Sequence, residues 1–410
     1  MTEYAPSSSV GWLDLDSAAS ERVGVLLRSL EEPGTLDALG LGSVRDAFSA
    51  MLSPGTSTIQ TRIRYFLFLP WICARLEAER VGPADFASRL REDEAQLIEC
   101  LRHLGSNQGV AGYTAGRDLK RMPSEAYWAG LASWGLRRLD LSIAEYGQRA
   151  AVLGRNRHER DDDGHTTVSA ASMWAAIPSP PEDFLRADIT FDLCRDEALV
   201  LVDHIRREHP GTLLAFLCGR PEISVDDFVF PWDLPSNGLP GQLAEVLHHA
   251  RCFSEMTVGP QHVYNILLAR AAKADLGWDT DELEANEIGH IDDWVELVAD
   301  RYEELSAWVK DLPEFWDFLA EHNVSASTRD FVTAMATRAI TNPAGFVEDV
   351  AVHARIRDRE IRLKAKRARL GHRSALEYWN QGPFGGQLDY RWPITRSYLT
   401  DIAAGLETDS

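Results

Sequence analysis

Apolar residues recur at helical spacing through much of this chain, and this spacing limits the folds open to it more than any other feature. The clearest case lies within 290–321, where apolar side chains fall three or four residues apart, or at sums of those steps. These residues are Ile291, Trp294, Val298, Leu305, Val309 and Leu312. Such spacing lines up apolar side chains on one face of an α-helix, which must then pack against another element.

The same spacing, with helix-start and helix-end residues, predicts further helices. They are expected at about 17–30, from Ser43, from about Thr58, and at 83–104, 124–152, 195–209, 241–253, 261–274 and 349–370. The one strand candidate is 227–230, and no internal repeat or strand–helix alternation is present. We therefore predict a mainly α, multi-helical fold with two helical domains or subdomains and few short strands.

A polar run without apolar residues, 155–165, is the best linker candidate in the chain. Ordering such a run costs about 1–2 kcal/mol per residue in backbone entropy, with little apolar burial in return. We predict a helical domain at 1–154, a polar linker or exposed loop at 155–170 and a second helical domain at 171–410.

The charge of the chain is strongly uneven. The formal net charge is −21, which opposes general affinity for nucleic acid because phosphate attraction depends on Lys and Arg. Yet 275–322 carries sixteen acidic and two basic residues, whereas 353–373 carries nine basic and two acidic residues. The sequence thus predicts an acidic block followed by a basic block, both in the second domain.

The basic block coincides with the helix predicted at 349–370. Val352, Ile356, Leu363 and Leu370 form one narrow apolar stripe on it. The cations around the rest are candidate phosphate ligands: Arg355, Arg359, Arg362, Lys366, Arg367 and Arg369. Two partners remain open at this point, the acidic helices of the chain itself and a nucleic-acid backbone.

A second candidate site is the segment 54–71, PGTSTIQTRIRYFLFLPW. It follows a predicted helix and a Ser-Pro-Gly turn, and Thr56, Ser57 and Thr58 are suitable residues to cap a further helix. Helix-turn-helix proteins read bases with the first residues of their second helix. The candidate readers are Thr58, Gln60, Arg62 and Arg64. An ordinary capped helix in a helical hairpin is the alternative, since the apolar continuation must be buried.

No recognisable catalytic or cofactor-binding motif is present. The sequence has no phosphate-binding loop, zinc-protease motif, nucleophile elbow or kinase set. The five cysteines form no C-x-x-C pair, which indicates reduced thiols, and His248 with Cys252 supplies too few ligands for zinc. We therefore expect no metal and no cofactor. An enzyme with an unrecognised site remains possible, with Arg62, Arg64 and the helix start at 56–58 facing a distant acid or histidine.

The chain also lacks the sequence features of secreted and membrane proteins. MTEYAPSSSV has no basic region followed by an apolar run, and the most apolar stretch, 63–74, is far shorter than the ~20 residues of a membrane span. These features predict a soluble, cytoplasmic protein.

Three stretches together resemble a known family. They are Gly11-Trp12-Leu13-Asp14, the run from Leu39-Gly40-Leu41-Gly42 through Pro54–Trp71, and Leu388–Pro393. They are similar to an uncharacterised bacterial family found in anti-phage-defence-type gene clusters with helicases and phospholipase-D-like proteins. The resemblance implies a setting and possible partners, and it carries no catalytic residue.

These observations favour a non-catalytic component of a bacterial anti-phage defence-type system that binds DNA or protein partners. The alternatives are the enzyme with an unrecognised, phosphate- or nucleic-acid-directed site and a purely structural subunit. A deep polar pocket at 56–64 would favour the enzyme. An exposed basic surface would favour the binding protein.

Overall fold

The computed structural model describes residues 37–103, 109–156, 173–187, 189–235 and 238–408, and in these residues the protein is mainly α-helical. Backbone pairing of the β type is limited, within these residues, to one isolated antiparallel bridge between Arg137 and Trp174. The predicted mainly α, multi-helical fold is confirmed.

Fifteen α-helices lie in the described ranges. They are α1 (Gly42–Leu52), α2 (Tyr65–Ala78), α3 (Pro83–Arg102), α4 (Pro123–Ser133), α5 (Ile143–Asn156), α6 (Arg195–Glu208), α7 (Leu213–Cys218), α8 (Gly241–Leu276), α9 (Asp281–Asp300), α10 (Tyr302–Lys310), α11 (Leu312–Phe318), α12 (Ala326–Thr341), α13 (Val350–Lys364), α14 (Arg373–Leu376) and α15 (Trp392–Glu407). No helix of the described chain is both long enough and apolar enough to cross a lipid bilayer.

The chain divides into two compact units. We call Met1–Ser43 with Phe253–Gln387 the first unit, and Val44–Cys252 with Leu388–Ser410 the second unit. The helix expected at 17–30 and most of the linker expected at 155–170 lie outside the described residues. The predicted domain boundary at 155–170 therefore stays a prediction.

The core of the second unit is built around the apolar helix α2. Tyr65, Phe66 and Phe68 are fully buried there. The Phe66 ring stacks on Trp134, with 3.8 Å between ring centroids, and Tyr398 meets both rings edge-on. Large aromatic rings bury the most apolar area per residue, so this cluster dominates the packing of the unit.

The core of the first unit contains the apolar face predicted at 290–321. Ile291, Trp294, Val298, Leu305 and Leu312 are buried. The region forms three helices instead of one, because the chain leaves the α-conformation at Arg301 and Asp311. The apolar spacing carries on across both interruptions, so it predicted the buried face correctly and the helix ends incorrectly.

Other helix boundaries also differ from those predicted. The segment 124–152 forms two helices, α4 and α5, and 227–230 forms no strand. Conversely, the helices expected at 241–253 and 261–274 are one continuous helix, α8, which contains Pro260. An internal proline costs about 3 kcal/mol. Burial of almost every residue from Val263 to Ala269 offsets that cost.

Candidate nucleic-acid interface

Helix α13 starts just before the basic segment, which we define as residues 353–373. Its N-cap is Asp349, whose carboxylate accepts hydrogen bonds from the backbone N–H groups of Ala351 at 2.8 Å and Val352 at 3.4 Å. The same carboxylate forms an ion pair with Arg338 on α12. A carboxylate at this position satisfies free N–H groups and suits the helix dipole, so it fixes where the helix begins.

One side of α13 faces the core of the first unit. Val352 and Ile356 are buried, as predicted, and Arg359 and Glu360 are buried beside them. Leu363, expected on the same stripe, is 43% exposed. The buried side of this helix is therefore partly ionic, and its two buried charges need internal partners.

Arg359 is a structural residue, not an available phosphate ligand. Its side chain donates hydrogen bonds to the carbonyl oxygens of Leu39 and Gly40 and to the hydroxyls of Ser327 and Thr328, at 2.7–3.2 Å. Burial lowers its pKa. The residue is 4% exposed, which removes it from the candidate interface.

Gly40 makes this contact possible. It has a φ of 70°, and a Cβ added there would lie 2.5 Å from Nη2 of Arg359. Only glycine suits both the left-handed backbone and the close approach. The Leu-Gly-Leu-Gly motif is thus explained by the docking of Arg359.

Glu360 holds the chain that follows α13. Its fully buried carboxylate accepts hydrogen bonds from the Tyr264 hydroxyl at 2.6 Å, from Lys364 Nζ at 3.1 Å, and from the backbone N–H groups of Arg369 at 3.1 Å and Leu370 at 2.9 Å. Burial and the nearby Glu360 raise the pKa of Tyr264, and burial lowers that of Lys364. The carboxylate therefore ties residues 369–370 back to the end of the helix.

The reversal itself begins at Ala365. This residue has φ 48° and ψ −120°, and its carbonyl accepts a hydrogen bond from the N–H of Ala368. The helix expected to run to 370 therefore ends at Lys364, and Ala365–Arg367 forms a 3₁₀ turn. Lys366 and Arg367 are exposed on this turn.

Five cations of the basic segment are exposed and have no ion-pair partner among the described residues. We call them the exposed cations: Arg355, Arg357, Arg362, Lys366 and Arg367. Arg355 and Arg362 lie two helical turns apart, so they share a side of α13. Arg373 is exposed too, but it pairs with Glu377 at 3.4 Å.

The acidic block makes its ion pairs elsewhere in the first unit. Its partners are Arg270 for Glu284, His262 for Glu287, Lys273 for Asp281 and Arg301 for Glu304. None of the ion pairs of the described residues joins 275–322 to 353–373. The acidic block was one of the two partners left open for the basic helix. It does not neutralise the exposed cations by ion pairing.

Two further residues that could contact nucleic acid follow the exposed cations in sequence. Arg369 is half-buried, and its guanidinium lies 4.6 Å from the centroid of the Phe384 ring. Tyr378 is 88% exposed, directly before the buried Trp379. Tyr378 is not among the candidate nucleic-acid-binding residues named from the sequence. A tyrosine five residues beyond a run of basic residues is the signal that could have found it.

The N-terminal candidate site does not form a helix start. Helix α2 begins at Tyr65, and the residue before it, Arg64, makes no side-chain capping bond. The prediction that Thr56, Ser57 or Thr58 caps this helix is wrong, because Thr56 donates its hydroxyl hydrogen bond back to the carbonyl of Ser53. Twelve non-helical residues separate α1 from α2, far more than the turn of a helix-turn-helix.

The side chain of Gln60 is committed to this non-helical segment. Its amide nitrogen donates to the carbonyls of Gly55 and Ala126, and its oxygen accepts from the N–H of Ser57 and the hydroxyl of Tyr398. A buried amide with four such bonds has no free group for a base. Of the four candidate readers, only Thr58 is fully exposed.

Both arginines of this segment bind carboxylates of the second unit. Arg62 forms a bidentate pair with Asp401 at 2.9 and 2.6 Å, and Arg64 pairs with Glu197 at 2.8 Å. On a helix, residues two apart lie about 200° apart, so at most one of the two arginines would face the core with a carboxylate partner. Both do so, because outside a helix the two-residue spacing no longer sends them to opposite sides.

An enzyme centred on 56–64 finds little support in this geometry. Both guanidinium groups are neutralised by carboxylates that are themselves buried, so neither is free to bind phosphate. Two cavities lie in the second unit, and neither includes a residue of 56–64. One is lined by residues between 132 and 208, and the other by 217–226 with 399–407. The segment acts as a connector between distant parts of the unit.

Comparison with known proteins places the chain in a family. The model of one family matches residues 7–405, which is nearly the whole length. This protein belongs to DUF6361, a family of unknown function. No curated protein and no solved structure matches this DUF6361 chain. For DUF6361, the function must therefore be inferred from the geometry of the chain itself.

Proposed function

We propose that this protein binds the sugar–phosphate backbone of nucleic acid through the five exposed cations. One observation carries the proposal: the exposed cations have no ion-pair partner among the described residues, and none of the ion pairs of the acidic block reaches the basic segment. Neighbouring like charges repel one another, and the phosphates of a bound polyanion offset that repulsion. Binding also releases the counterions of the polyanion, which favours the complex.

Binding of this kind does not depend on base sequence. Backbone contacts fix the position of a protein on nucleic acid and carry no sequence information. The candidate base readers Gln60, Arg62 and Arg64 are engaged inside the second unit, so we leave them out of the interface. The net charge of −21 opposes general affinity for nucleic acid, so binding depends on a local concentration of cations.

We further propose that this binding serves a bacterial anti-phage defence-type system in which the protein is a non-catalytic component. The support is the resemblance of the N-terminal and C-terminal motifs described above. Helicases and phospholipase-D-like proteins are the partners that this setting suggests. Binding by the exposed cations is tested separately from this setting.

The test is fluorescence anisotropy with a labelled single-stranded and a labelled duplex DNA at two salt concentrations. The variant Arg362→Glu/Lys366→Glu/Arg367→Glu should lose most of the binding at low salt. Its matched control is Lys120→Glu/Arg186→Glu/Lys310→Glu, which makes the same charge change at three exposed cations outside the segment.

The control should bind within about twofold of wild type, because it makes the same change in net charge and leaves the five exposed cations in place. Equal loss in both triple variants would assign the effect to net charge. That result, or absence of binding by wild type at low salt, would overturn the proposal.

A further inference from the structure

The second unit contains an open cleft of about 810 Å³ that is separate from the basic segment. One wall is the short backbone pairing in which Arg138 N–H donates to the Met173 carbonyl and Ala175 N–H to the Leu136 carbonyl, both at 2.8 Å. Helix α6 forms the other wall. The volume lies within the ~300–1,000 Å³ range of small-molecule sites.

A buried cation lines this cleft. Two carbonyl oxygens, of Leu139 and Leu141, accept hydrogen bonds from Nη1 of Arg137, and the guanidinium lies 5.1 Å from the Trp128 ring centroid. The nearest carboxylate, of the exposed Asp140, is 3.8 Å away. Nε of Arg137 is buried and has no hydrogen-bond partner within the described chain.

Burying the charge of an arginine in this way costs free energy unless a charged partner compensates for it. Burial lowers the pKa of Arg137, which reflects that cost. The residue therefore points to an anion as the missing partner, and the cleft gives such an anion access.

A second cation is available at the rim. Arg138 is exposed and has no ion-pair partner among the residues that the structure describes. By contrast, Arg207 is already neutralised by Asp203 at 2.6 Å and Glu208 at 3.2 Å. Arg137 therefore has only the long ion pair with the exposed Asp140, at 3.8 Å, and Arg138 has none among the described residues.

The remaining wall is apolar. Leu199 is 46% exposed, and Val200, Ala132, Ala175 and Ala176 line the cleft with it. A cleft lined by an exposed leucine, by the unpaired Arg138 and by Arg137 suits a ligand with an apolar body and an anionic end.

His204 adds no charge to the site. Its Nδ1 lies 2.8 Å from the Trp134 carbonyl oxygen and 2.9 Å from Nη2 of Arg207. Burial lowers the pKa of His204, so the imidazole is neutral near pH 7. Anion recognition then depends on Arg137 and Arg138.

We propose that this cleft binds a small organic anion, with an oxyanion held by Arg137 and Arg138 and an apolar body lying on Leu199. The oxyanion can be a carboxylate or a phosphate. This site uses no residue of the proposed nucleic-acid interface.

The probe is 8-anilinonaphthalene-1-sulfonate, an aromatic sulfonate whose fluorescence rises in apolar surroundings. Wild type should give a saturable signal with one probe per chain. Benzoate and inorganic phosphate are the competitors, and the one that displaces the probe at lower concentration identifies the oxyanion.

Arg138→Ala should weaken probe binding about tenfold, as expected for a lost bond to a charged group. Arg138→Lys should restore part of it, and the matched control Arg186→Ala should bind like wild type. Leu199→Ala should weaken the probe and benzoate while leaving displacement by phosphate intact.

Three results would each overturn the inference: a signal that does not saturate, equal binding by the Arg138→Ala and Arg186→Ala variants, or failure of both competitors to displace the probe. DNA binding is measured separately with the same variants. Its outcome bears only on the proposed nucleic-acid interface.

Discussion

The guanidinium of Arg62 and the carboxylate of Asp401 form a bidentate ion pair across 339 residues of sequence. Oδ2 of the same carboxylate also accepts the backbone N–H of Ile63 at 3.3 Å. Within the second unit, this pair fastens the non-helical segment before α2 to helix α15. The two sequence motifs are joined separately, because Nη1 of Arg391 in the C-terminal motif donates a hydrogen bond to the Thr56 carbonyl at 2.7 Å.

The Asp401→Asn substitution should lower the free energy of unfolding by about 2 kcal/mol. Breaking a fully buried pair costs about 3–5 kcal/mol, and partial exposure of Arg62 reduces that cost. Urea denaturation measures the change. Glu407→Gln, on the exposed side of the same helix, is the control and should be nearly neutral. Equal stability of the two variants would contradict a structural role for the pair.

A second prediction concerns Glu94, whose carboxylate accepts hydrogen bonds from the N–H and the hydroxyl of Ser124. Burial raises the pKa of Glu94 from 4.5 to about 7. Between these values the folded protein holds a proton that the unfolded chain has released. The contribution of Glu94 to stability is therefore fully present below about pH 4.5 and is lost as pH rises to about 7, by about 3 kcal/mol at most.

Urea denaturation of wild type and Glu94→Gln at several pH values checks this. The glutamine cannot titrate, so the wild type should lose stability relative to the variant as pH rises. Glu182→Gln, at an exposed residue of the same unit, should follow the wild-type profile. Parallel profiles for wild type and Glu94→Gln would count against the shifted pKa.

Glu360 and Glu377 allow a matched comparison between a buried and an exposed ion pair. Glu360→Gln removes the charge that Lys364 faces in the core and should destabilise the protein by about 3 kcal/mol. Glu377→Gln breaks an exposed pair with Arg373 and should cost about 0–1 kcal/mol. Thermal denaturation separates the two, and similar losses would show that Glu360 does not hold the reversal.

The reversal at Ala365 gives a stabilising prediction. Its φ of 48° with ψ of −120° is a conformation that glycine adopts without strain. Ala365→Gly should therefore raise the free energy of unfolding by about 1 kcal/mol. Ala375→Gly, within helix α14, should instead destabilise slightly. If both substitutions destabilise, the backbone at Ala365 is not strained.

The sequence predicted the helical class and the main apolar faces because these depend on local spacing. It could not locate the partners of Arg62 and Arg64. Asp401 lies more than three hundred residues from Arg62, and Glu197 lies more than a hundred residues from Arg64. It also placed Arg359 among the free cations. Only the folded chain shows that Gly40 provides the space in which Arg359 is buried.

Tyr378 distinguishes single-stranded from duplex ligands if the proposed function holds. An exposed ring next to cations can stack on an unpaired base, and such stacking contributes about 1–3 kcal/mol per base. Tyr378→Ala should weaken single-stranded DNA binding about tenfold and leave duplex binding unchanged. The control is Tyr302→Ala, an exposed tyrosine of the acidic block. Equal effects on both DNA forms would refute stacking.

The burial of Arg359 and Lys364 sets an upper limit on how strongly salt can act on binding. Each phosphate contacted on duplex DNA contributes about −0.9 to the slope of the logarithm of affinity against the logarithm of salt concentration. Nine cations in the basic segment would allow a slope of about −8. Four of the nine are engaged within the protein: Arg359 and Lys364 are internal, Arg369 lies against an aromatic ring, and Arg373 is paired. The five exposed cations that remain allow a slope of about −4.5. A steeper slope would require cations outside 353–373.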